Sequence, residues 1–208
     1  MELKLIDAHA HLQFPQFDAD REAVITRARE AGVGVINVGT DLETSRGAIE
    51  LAQNNPDMWA TVGLHPTDID QEFDAAAFLE LARHEKVVAI GECGLDYYHI
   101  KDSEKRKKHI EIFEQQIGLA QKVNKPLMIH CRDAYQDLLN IVKNYNLNAN
   151  IHFFAGDWLM ARKFLDLGFT LSFTGVVTFA SQYDEVIKQT PLDRIMIETD
   201  CPFVAPVS

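Results

Sequence analysis

Two histidines stand two positions apart near the N-terminus, in the apolar run LIDAHAHL of residues 5–12. A β-strand turns successive side chains to opposite faces, so we expect His9 and His11 to share one face, with Asp7 below them. Burying imidazoles and a carboxylate without partners is costly, which favours a shared cation or a dense hydrogen-bond network. Because one strand cannot supply a complete site, partner residues are expected elsewhere in the chain.

Further candidate donors follow in separate β-rich segments: His65 in GLHP, Glu92 in IGECGLDYY, His130 in PLMIHCR, His152 in NIHFFAG and Asp200 in IETDCP. Imidazole and carboxylate ligands suit zinc, manganese or iron, and an oxygen-rich set suits magnesium. One catalytic zinc needs only three protein ligands and a water. The sequence therefore predicts two divalent metal ions that share Glu92 and are held by six residues: His9, His11, Glu92, His130, His152 and Asp200.

Such a centre performs hydrolysis, because two ions about 4 Å apart activate a water and hold the attacking and leaving oxygens. Asp200 is the expected general base, and Glu92 is the expected bridging carboxylate. His65 and Arg132 stand beside these ligands in the sequence. We expect them to hold phosphate oxygens of a substrate, Arg132 through its bidentate fork.

Other side chains near the same strand ends have candidate roles. Tyr97 and Tyr98 are expected to contact the substrate by stacking on bases, as aromatic residues do in single-strand binding. For Phe153 and Phe154, packing is the favoured interpretation. Asp96 has two interpretations that stay open at this point: it orients a ligand histidine from behind, or it makes a loop hydrogen bond.

The remaining histidines and the cysteines are not expected in the site. The histidines lie in helical or loop segments and are predicted to be surface residues: His84, His99 and His109. The cysteines each follow a proposed ligand directly, so they should point outward beneath the helices as core residues: Cys93, Cys131 and Cys201.

Short β-rich runs alternate with helical patterns along the chain. Strands are predicted over residues 5–11, 33–40, 58–65, 87–95, 126–132, 150–155, 169–175 and 194–200. Helices are predicted over residues 18–31, 41–54, 74–85, 103–123, 134–145, 157–167 and 181–189, with Asp18 as the cap of the first.

This alternation is typical of parallel βα units, and their closure favours a (β/α)8 TIM barrel. An open doubly wound sheet is the alternative, but it usually has fewer strands and a glycine-rich first turn, which DAHAHL is not. Barrel active sites lie at the carboxyl ends of the strands, where the candidate donors stand. We expect one domain over residues 1–208 that lacks the usual C-terminal eighth helix.

The composition restricts the possible partners. The 208 residues are 47% hydrophobic and 25% charged, as in ordinary globular domains, with a net charge of −11. So acidic a chain has no general attraction for nucleic acid or anionic membranes, and a phosphate-bearing substrate needs a local attraction such as bound cations. No apolar run or signal peptide indicates a membrane, and the few cysteines fit a reducing cytoplasm.

Six motifs, in this order and spacing, resemble the TatD-type deoxyribonuclease family of metal-dependent hydrolases: DAHAHL, GLHP, IGECGLDYY, KPLMIHCRDA, HFFAG and IETDCPF. The resemblance runs from residue 5 to about residue 206. It implies a (β/α)8 barrel with a one- or two-metal site and metal-dependent cleavage of DNA, often from an end. DNA, as single strands or ends, is therefore the expected partner.

Carried over by motif, the resemblance implies that His9 and His11 hold the first metal, with Glu92 bridging. It also implies that His130 and His152 hold the second metal. Asp200 then binds the first metal or its water. The related amidohydrolases often have a carboxylated lysine at the fourth strand, so Glu92 favours the TatD-type family. This sequence departs from the family pattern after IETDCPF, where the family continues into one or more helices.

Two other functions remain open from the sequence. A dinuclear centre also hydrolyses small esters, lactones, amides or aminoacyl esters, because the fold does not determine the substrate. A shortened chain could also bind metal without catalysis. The oligomeric state and the identity of the metal are not determined by the sequence.

Overall fold

A computed structural model describes residues 3–68 and 70–207 of the chain. Its eight strands form one parallel sheet in chain order: β1 (Leu5–Ala10), β2 (Val33–Val38), β3 (Met58–Val62), β4 (Val87–Asp96), β5 (Leu127–Arg132), β6 (Ala149–Ile151), β7 (Thr170–Phe173) and β8 (Ile195–Ile197). The helices between them are α1 (Arg21–Ala31), α2 (Leu42–Asn54), α3 (Ala75–Ala82), α4 (Ser103–Val123), α5 (Tyr135–Val142), α6 (Trp158–Asp166) and α7 (Asp184–Gln189). The strands make a nearly closed barrel, so the predicted fold is confirmed.

The barrel closes between β1 and the segment after β8. The amide of His11 donates to the carbonyl of Cys201 at 2.9 Å, and the amide of Asp200 donates to the carbonyl of His9 at 2.8 Å. Two candidate ligand segments from opposite ends of the chain are therefore held together by their own backbone groups.

Asp7 belongs to this closure and not to the face of His9 and His11. Its carboxylate accepts hydrogen bonds from the Thr199 amide at 2.9 Å and the Thr199 hydroxyl at 2.6 Å. The pairing of β1 with β2 is irregular between Asp7 and Ala10, so strict alternation of faces fails there. Burial raises the pKa of Asp7, and the hydrogen bonds from Thr199 oppose that rise.

Local sequence signals explain where several helices begin and end. The side chain of Asp41 accepts from the Thr44 amide at 2.7 Å, and the Thr44 hydroxyl accepts from the Asp41 amide at 2.9 Å, which makes a capping box at the start of α2. Asp102 caps α4 by accepting from the amides of Glu104 and Lys105. Gly32 ends α1 with a φ of 76°, which is the left-handed region that glycine favours.

Helix α4 supports the segment that carries His65. It presents a buried face with Phe113 and Gln116 toward β4. The side chain of Gln116 donates to the carbonyl of Leu64 and accepts from its amide, both at 2.9 Å. The backbone before His65 is therefore tied to the helix layer by a buried amide.

The predicted elements differ from the observed ones mainly at their ends. Helix α1 begins at Arg21 and follows a short 3₁₀ turn at Pro15–Phe17. Asp18 is not the cap of α1, because its carboxylate instead accepts from the Arg21 guanidinium at 2.6 Å. None of the helices in the described part of the chain combines the length and apolar character that crossing a lipid bilayer requires.

Candidate metal centre

The carboxyl ends of the strands surround a cavity of about 760 Å³. Five of the six predicted ligand residues line it: His11, Glu92, His130, His152 and Asp200. The sixth, His9, is completely buried and contacts this set. The barrel thus brings together all six side chains that the sequence singled out. We call His9, His11 and Asp200 the first group, and His130 and His152 the second group.

Glu92 lies between the two groups and turns one oxygen to each. Its Oε1 is 2.9 Å from Nε2 of His152 and 3.1 Å from Nδ1 of His130. Its Oε2 is 3.4 Å from Nε2 of His9 and 3.8 Å from Nε2 of His11. A carboxylate in this position can bind one cation through each oxygen.

The first group joins β1 to the segment after β8. The Nε2 atoms of His9 and His11 are 3.1 Å apart, and Oδ1 of Asp200 lies 3.6 Å and 3.4 Å from them. Nδ1 of His11 is 2.8 Å from the carbonyl of Val38. A proton on Nδ1 satisfies that carbonyl and leaves the lone pair of Nε2 directed at the cluster, which is the tautomer that a metal ligand needs.

The second group comes from the neighbouring strands β5 and β6. Nε2 of His130 lies 3.1 Å from Oδ2 of Asp96, so its N–H donates to that carboxylate and leaves Nδ1 to face Glu92. Nε2 of His152 is 3.3 Å from Nδ1 of His130. Asp96 also accepts from the amide and the ring of His99, at 2.8 Å and 2.7 Å. Asp96 therefore contacts a candidate ligand from behind and also makes a loop hydrogen bond.

Glu198 is a buried carboxylate that the sequence analysis missed. It accepts from the Phe153 amide at 2.7 Å and from the Ser172 hydroxyl at 2.6 Å, and its Oε1 lies 3.5 Å from Nδ1 of His152. It stands two residues before Asp200 in IETDCP. The alternation of side chains that related His9 to His11 could have drawn attention to this residue as well.

The carboxylates and histidines shift one another's protonation. Burial by itself raises the pKa of Glu92, but the surrounding histidines outweigh burial and hold the pKa well below its usual range. Burial alone lowers the pKa of His152, but Glu92 and Glu198 raise it well above the usual value. For His9, burial dominates and lowers the pKa. The negative potential around the second group thus favours a positive charge there, which protons or a divalent cation can supply.

Three predicted substrate-binding residues lie near the cavity in different settings. His65 lines the cavity, with Nε2 3.3 Å from Oε1 of Glu92. Arg132 lines the cavity and stacks on the ring of Tyr98. Tyr97 is buried, and its hydroxyl donates to Asp137 at 2.8 Å, so its ring does not present a free stacking surface. Burial, followed by that hydrogen bond, raises the pKa of Tyr97 to about 12.

One of the three histidines predicted at the surface, His109, lies in the core, and His99 is exposed as predicted. His109 is only 1% exposed, because it lies four residues before Phe113 and so shares the buried face of α4. His99 is exposed but lines the cavity and donates to Asp96. The spacing of buried residues along α4 predicts a core position for His109, so the prediction that it lies at the surface was wrong.

The packing predictions for the remaining residues are largely confirmed. Cys93 and Cys131 are buried in the core, where burial raises the pKa of both thiols, and Cys201 is partly buried against the same core. Phe154 is completely buried, as predicted. Phe153 instead lines the cavity, because a φ of 45° turns the chain there and places its amide on Glu198.

The donor set fits divalent cations. Three subsets have donor atoms within 4.8 Å of one another: His9 with His11 and Glu92, His65 with Glu92 and His130, and His9 with His152 and Glu198. Across the described residues, Nδ1 of His9 and Nδ1 of His152 are buried without a hydrogen-bond partner. Imidazoles and carboxylates converge here, and the far N–H groups of His11 and His130 are held by oxygen acceptors. This is the chemistry of zinc, manganese or iron sites.

Comparison with known proteins gives concordant matches. The family model described as "TatD related DNase" matches residues 6–208. A Bacillus subtilis protein named "Uncharacterized metal-dependent hydrolase YabD" is 45% identical over 97% of this chain and 82% of its own length. The protein of Musicola paradisiaca named "3'-5' ssDNA/RNA exonuclease TatD" is 34% identical over 97% of this chain and 80% of its own length.

The solved structures agree. The crystal structure of YjjV, a TatD homologue from Escherichia coli K12, superposes with a TM-score of 0.88 at 30% identity, covering all of this chain and 83% of the other. The barrel fold and the similarity to these relatives assign the protein to the metal-dependent hydrolases. The chain belongs to the TatD-related DNase family.

Proposed function

We propose that this protein hydrolyses phosphodiester bonds in DNA, with two divalent metal ions held by the first and second groups and bridged by Glu92. The observation that carries the proposal is the position of Glu92, whose two oxygens face the two separate groups of imidazole nitrogens. Bound divalent ions at such a centre supply Lewis acidity and lower the pKa of a water.

In this proposal, each ligand residue has a stated task. His9 and His11 would hold one ion, and His130 and His152 would hold the other. Asp200 would stand beside the first ion and, as general base, would accept a proton from water. Burial raises the pKa of Asp200, but the neighbouring imidazoles of His11 and His9 bring it below its usual value. Asp200 is therefore ionised at neutral pH.

The surrounding residues support a phosphate substrate. His65 lies beside Glu92 at the cavity wall, where its ring can donate to an oxygen of the scissile phosphate. Asp96 orients His130 through a hydrogen bond to its Nε2, and Glu198 places a negative charge 3.5 Å from Nδ1 of His152. With a net charge of −11, the protein attracts a polyanion only through such local groups and bound cations.

The name of the Musicola relative adds a specific expectation, namely release of nucleotides from single-stranded ends. The test is to incubate the protein, loaded in turn with manganese, zinc and magnesium, with end-labelled single-stranded DNA and with ester and lactone substrates. Release of nucleotides that is abolished by a chelator and by Asp200→Asn supports the proposal. Activity on small esters with no release from DNA overturns it in favour of an esterase or lactonase.

The metal stoichiometry has an independent test. Anomalous X-ray scattering from a metal-soaked crystal counts the ions and identifies their neighbours. Two peaks on either side of Glu92 are expected. One peak, or two ions elsewhere, contradicts the bridging role of Glu92.

A further inference from the structure

Two neighbouring tyrosines follow β4, and the guanidinium of an arginine stacks on the ring of each. The two arginines differ in their hydrogen bonding. Arg106 lies 4.1 Å from the ring centre of Tyr97 and donates through Nε to the carbonyl of Ile100 at 3.1 Å. Arg132 lies 3.8 Å from the ring centre of Tyr98. Within residues 3–68 and 70–207, its guanidinium has neither a hydrogen bond nor a carboxylate within 4.0 Å.

Lys101 adds a second cation to the same ring. Its Nζ lies 5.2 Å from the ring centre of Tyr98, and over the described ranges it likewise has no ion-pair partner within 4.0 Å. Tyr98 is 49% exposed. Two unpaired cations on one exposed aromatic ring are unusual in a chain with a net charge of −11, whose excess carboxylates could have neutralised them. We call Arg132, Tyr98 and Lys101 the rim stack.

The position of Arg132 on β5 determines how far the rim stack lies from the candidate metal ligand His130. Arg132 follows His130 by two positions on β5, so both side chains leave the same face of the strand about 6.6 Å apart. The backbone of Arg132 is fixed, because its residue pairs with Asp96 and its carbonyl accepts from the Tyr97 amide at 2.8 Å. This offset is comparable with the separation of successive phosphates along an extended single strand.

We infer that the rim stack binds the phosphate adjacent to the scissile phosphate of a single-stranded DNA substrate. This inference rests on the proposed phosphodiesterase function and goes beyond it, because it assigns Arg132 to a neighbouring phosphate instead of the reacting one. The fork of Arg132 donates two hydrogen bonds to the phosphate oxygens, and Lys101 adds a point charge. Tyr98 is a positioning residue that holds the guanidinium plane in place.

Dinucleotides that differ only in a terminal phosphate test this inference. The substrates are the thymidine dinucleotide with its single internal phosphodiester, its 5′-phosphorylated form and its 3′-phosphorylated form. We expect the wild-type protein to prefer one phosphorylated form over the unphosphorylated dinucleotide by about tenfold or more in kcat/KM, as for a hydrogen bond between charged groups. The form that is preferred reveals on which side of the cleaved bond the rim stack lies.

Variants then assign the preference to named side chains. In Arg132→Gln, the ratio of kcat/KM between the preferred phosphorylated dinucleotide and the unphosphorylated one should fall toward one. In Lys101→Gln this ratio should decrease, and in Tyr98→Phe it should stay unchanged. Tyr98→Ala should lose most of the preference although both cations remain. The matched control is Lys122→Gln, which removes an exposed lysine at the other end of α4, about 28 Å along the helix from Ser103, and should keep the full preference.

Binding provides a readout that does not depend on turnover. In a chelator, fluorescence anisotropy of a labelled single-stranded oligothymidylate should give a weaker Kd for Arg132→Gln than for Lys122→Gln. The slope of log Kd against log salt should fall by about 0.7 for the lost phosphate contact. Unchanged thermal melting of each variant shows that it is folded.

The outcomes separate this inference from the proposed function. If the protein hydrolyses the oligothymidylate and all three dinucleotides with equal kcat/KM, the rim inference is overturned and the phosphodiesterase proposal stands. If Arg132→Gln and Lys122→Gln behave alike in both assays, the rim inference is also overturned. If no DNA substrate is hydrolysed with any metal, the proposed function itself fails.

Discussion

The two groups that flank Glu92 are assembled in different ways. The second group uses β5 and β6, which are neighbours in sequence and pair in regular parallel register. The first group uses β1 and the segment after β8, and the Asp7–Thr199 bonds that join these regions link positions 192 residues apart. The geometry of the first group therefore depends on closure of the whole barrel, and that of the second depends on one adjacent strand pair.

The groups also differ in their electrostatic support. His130 and His152 each have a carboxylate behind them, Asp96 and Glu198. Asp96 raises the pKa of His130 against the effect of burial, and Glu92 followed by Glu198 raises the pKa of His152. His9 has no such partner, and burial lowers its pKa. The candidate centre thus combines a half held mainly by backbone closure with a half held mainly by charged side chains.

Removing the shared carboxylate tests both halves at once and has the largest expected effect. Glu92→Gln should lose at least one ion and reduce kcat/KM by about a thousandfold or more, as when a member of a catalytic set is removed. Metal analysis and nucleotide release are the measurements. Glu80→Gln, an exposed change on α3, is the matched control and should retain both properties. Full activity of Glu92→Gln would contradict the bridging role.

Glu198→Gln tests the charged support of the second group. The side-chain oxygen of the glutamine can still accept from the backbone amide of Phe153. The variant no longer has a negative charge beside His152, so we expect metal affinity to fall about 10- to 100-fold. Titration with a metal indicator should show weakening of one of two binding steps. Equal weakening of both steps would indicate that the halves are not independent.

Asp7→Ala tests the closure of the first group without replacing a proposed ligand, although the Asp7 carboxylate also accepts from the backbone amide of His9 at 3.2 Å. The change leaves the Thr199 amide and hydroxyl without their acceptor, and we expect a loss of about 1–3 kcal/mol in the free energy of unfolding. Asp7→Asn keeps one acceptor oxygen and should recover part of that loss. Metal titration of folded Asp7→Ala should weaken the step that Glu198→Gln leaves intact. The comparison fails if both variants weaken the same step.

The smallest effect is expected far from both halves, at the pair of Asp57 and Arg29. The hydrogen bond from Arg29 holds the pKa of Asp57 below its ordinary value of 3.8. A carboxylate whose pKa is lower in the folded state than in the unfolded state stabilises the fold at pH values above its unfolded-state pKa. That stabilisation is lost as the pH falls through the folded-state pKa. Urea unfolding should therefore show a small advantage of the wild-type protein over Asp57→Asn that shrinks below pH 3.8. Metal content should be the same in both.

Much of the candidate site could be predicted from strand pattern and residue type. His9, Glu92 and His130 lie on the strands, and His11 and His152 directly follow β1 and β6. The carboxyl ends of parallel strands meet at one end of a barrel. Their convergence therefore follows once the eight strands are recognised. The burial of His109 was predictable in principle from helical spacing, since it shares the core face of α4 with Phe113.

Three features were decided only by the tertiary structure. Asp7 leaves the face of its neighbours because the β1–β2 pairing is irregular, which no local pattern encodes. Glu198 becomes a support for His152 because β8 packs its carboxylate against the segment after β6. Residue types and their periodicity determine which side chains face the site, because they act over a few residues. Which oxygen faces which nitrogen is set by closure across the whole chain, so it depends on contacts that sequence spacing does not contain.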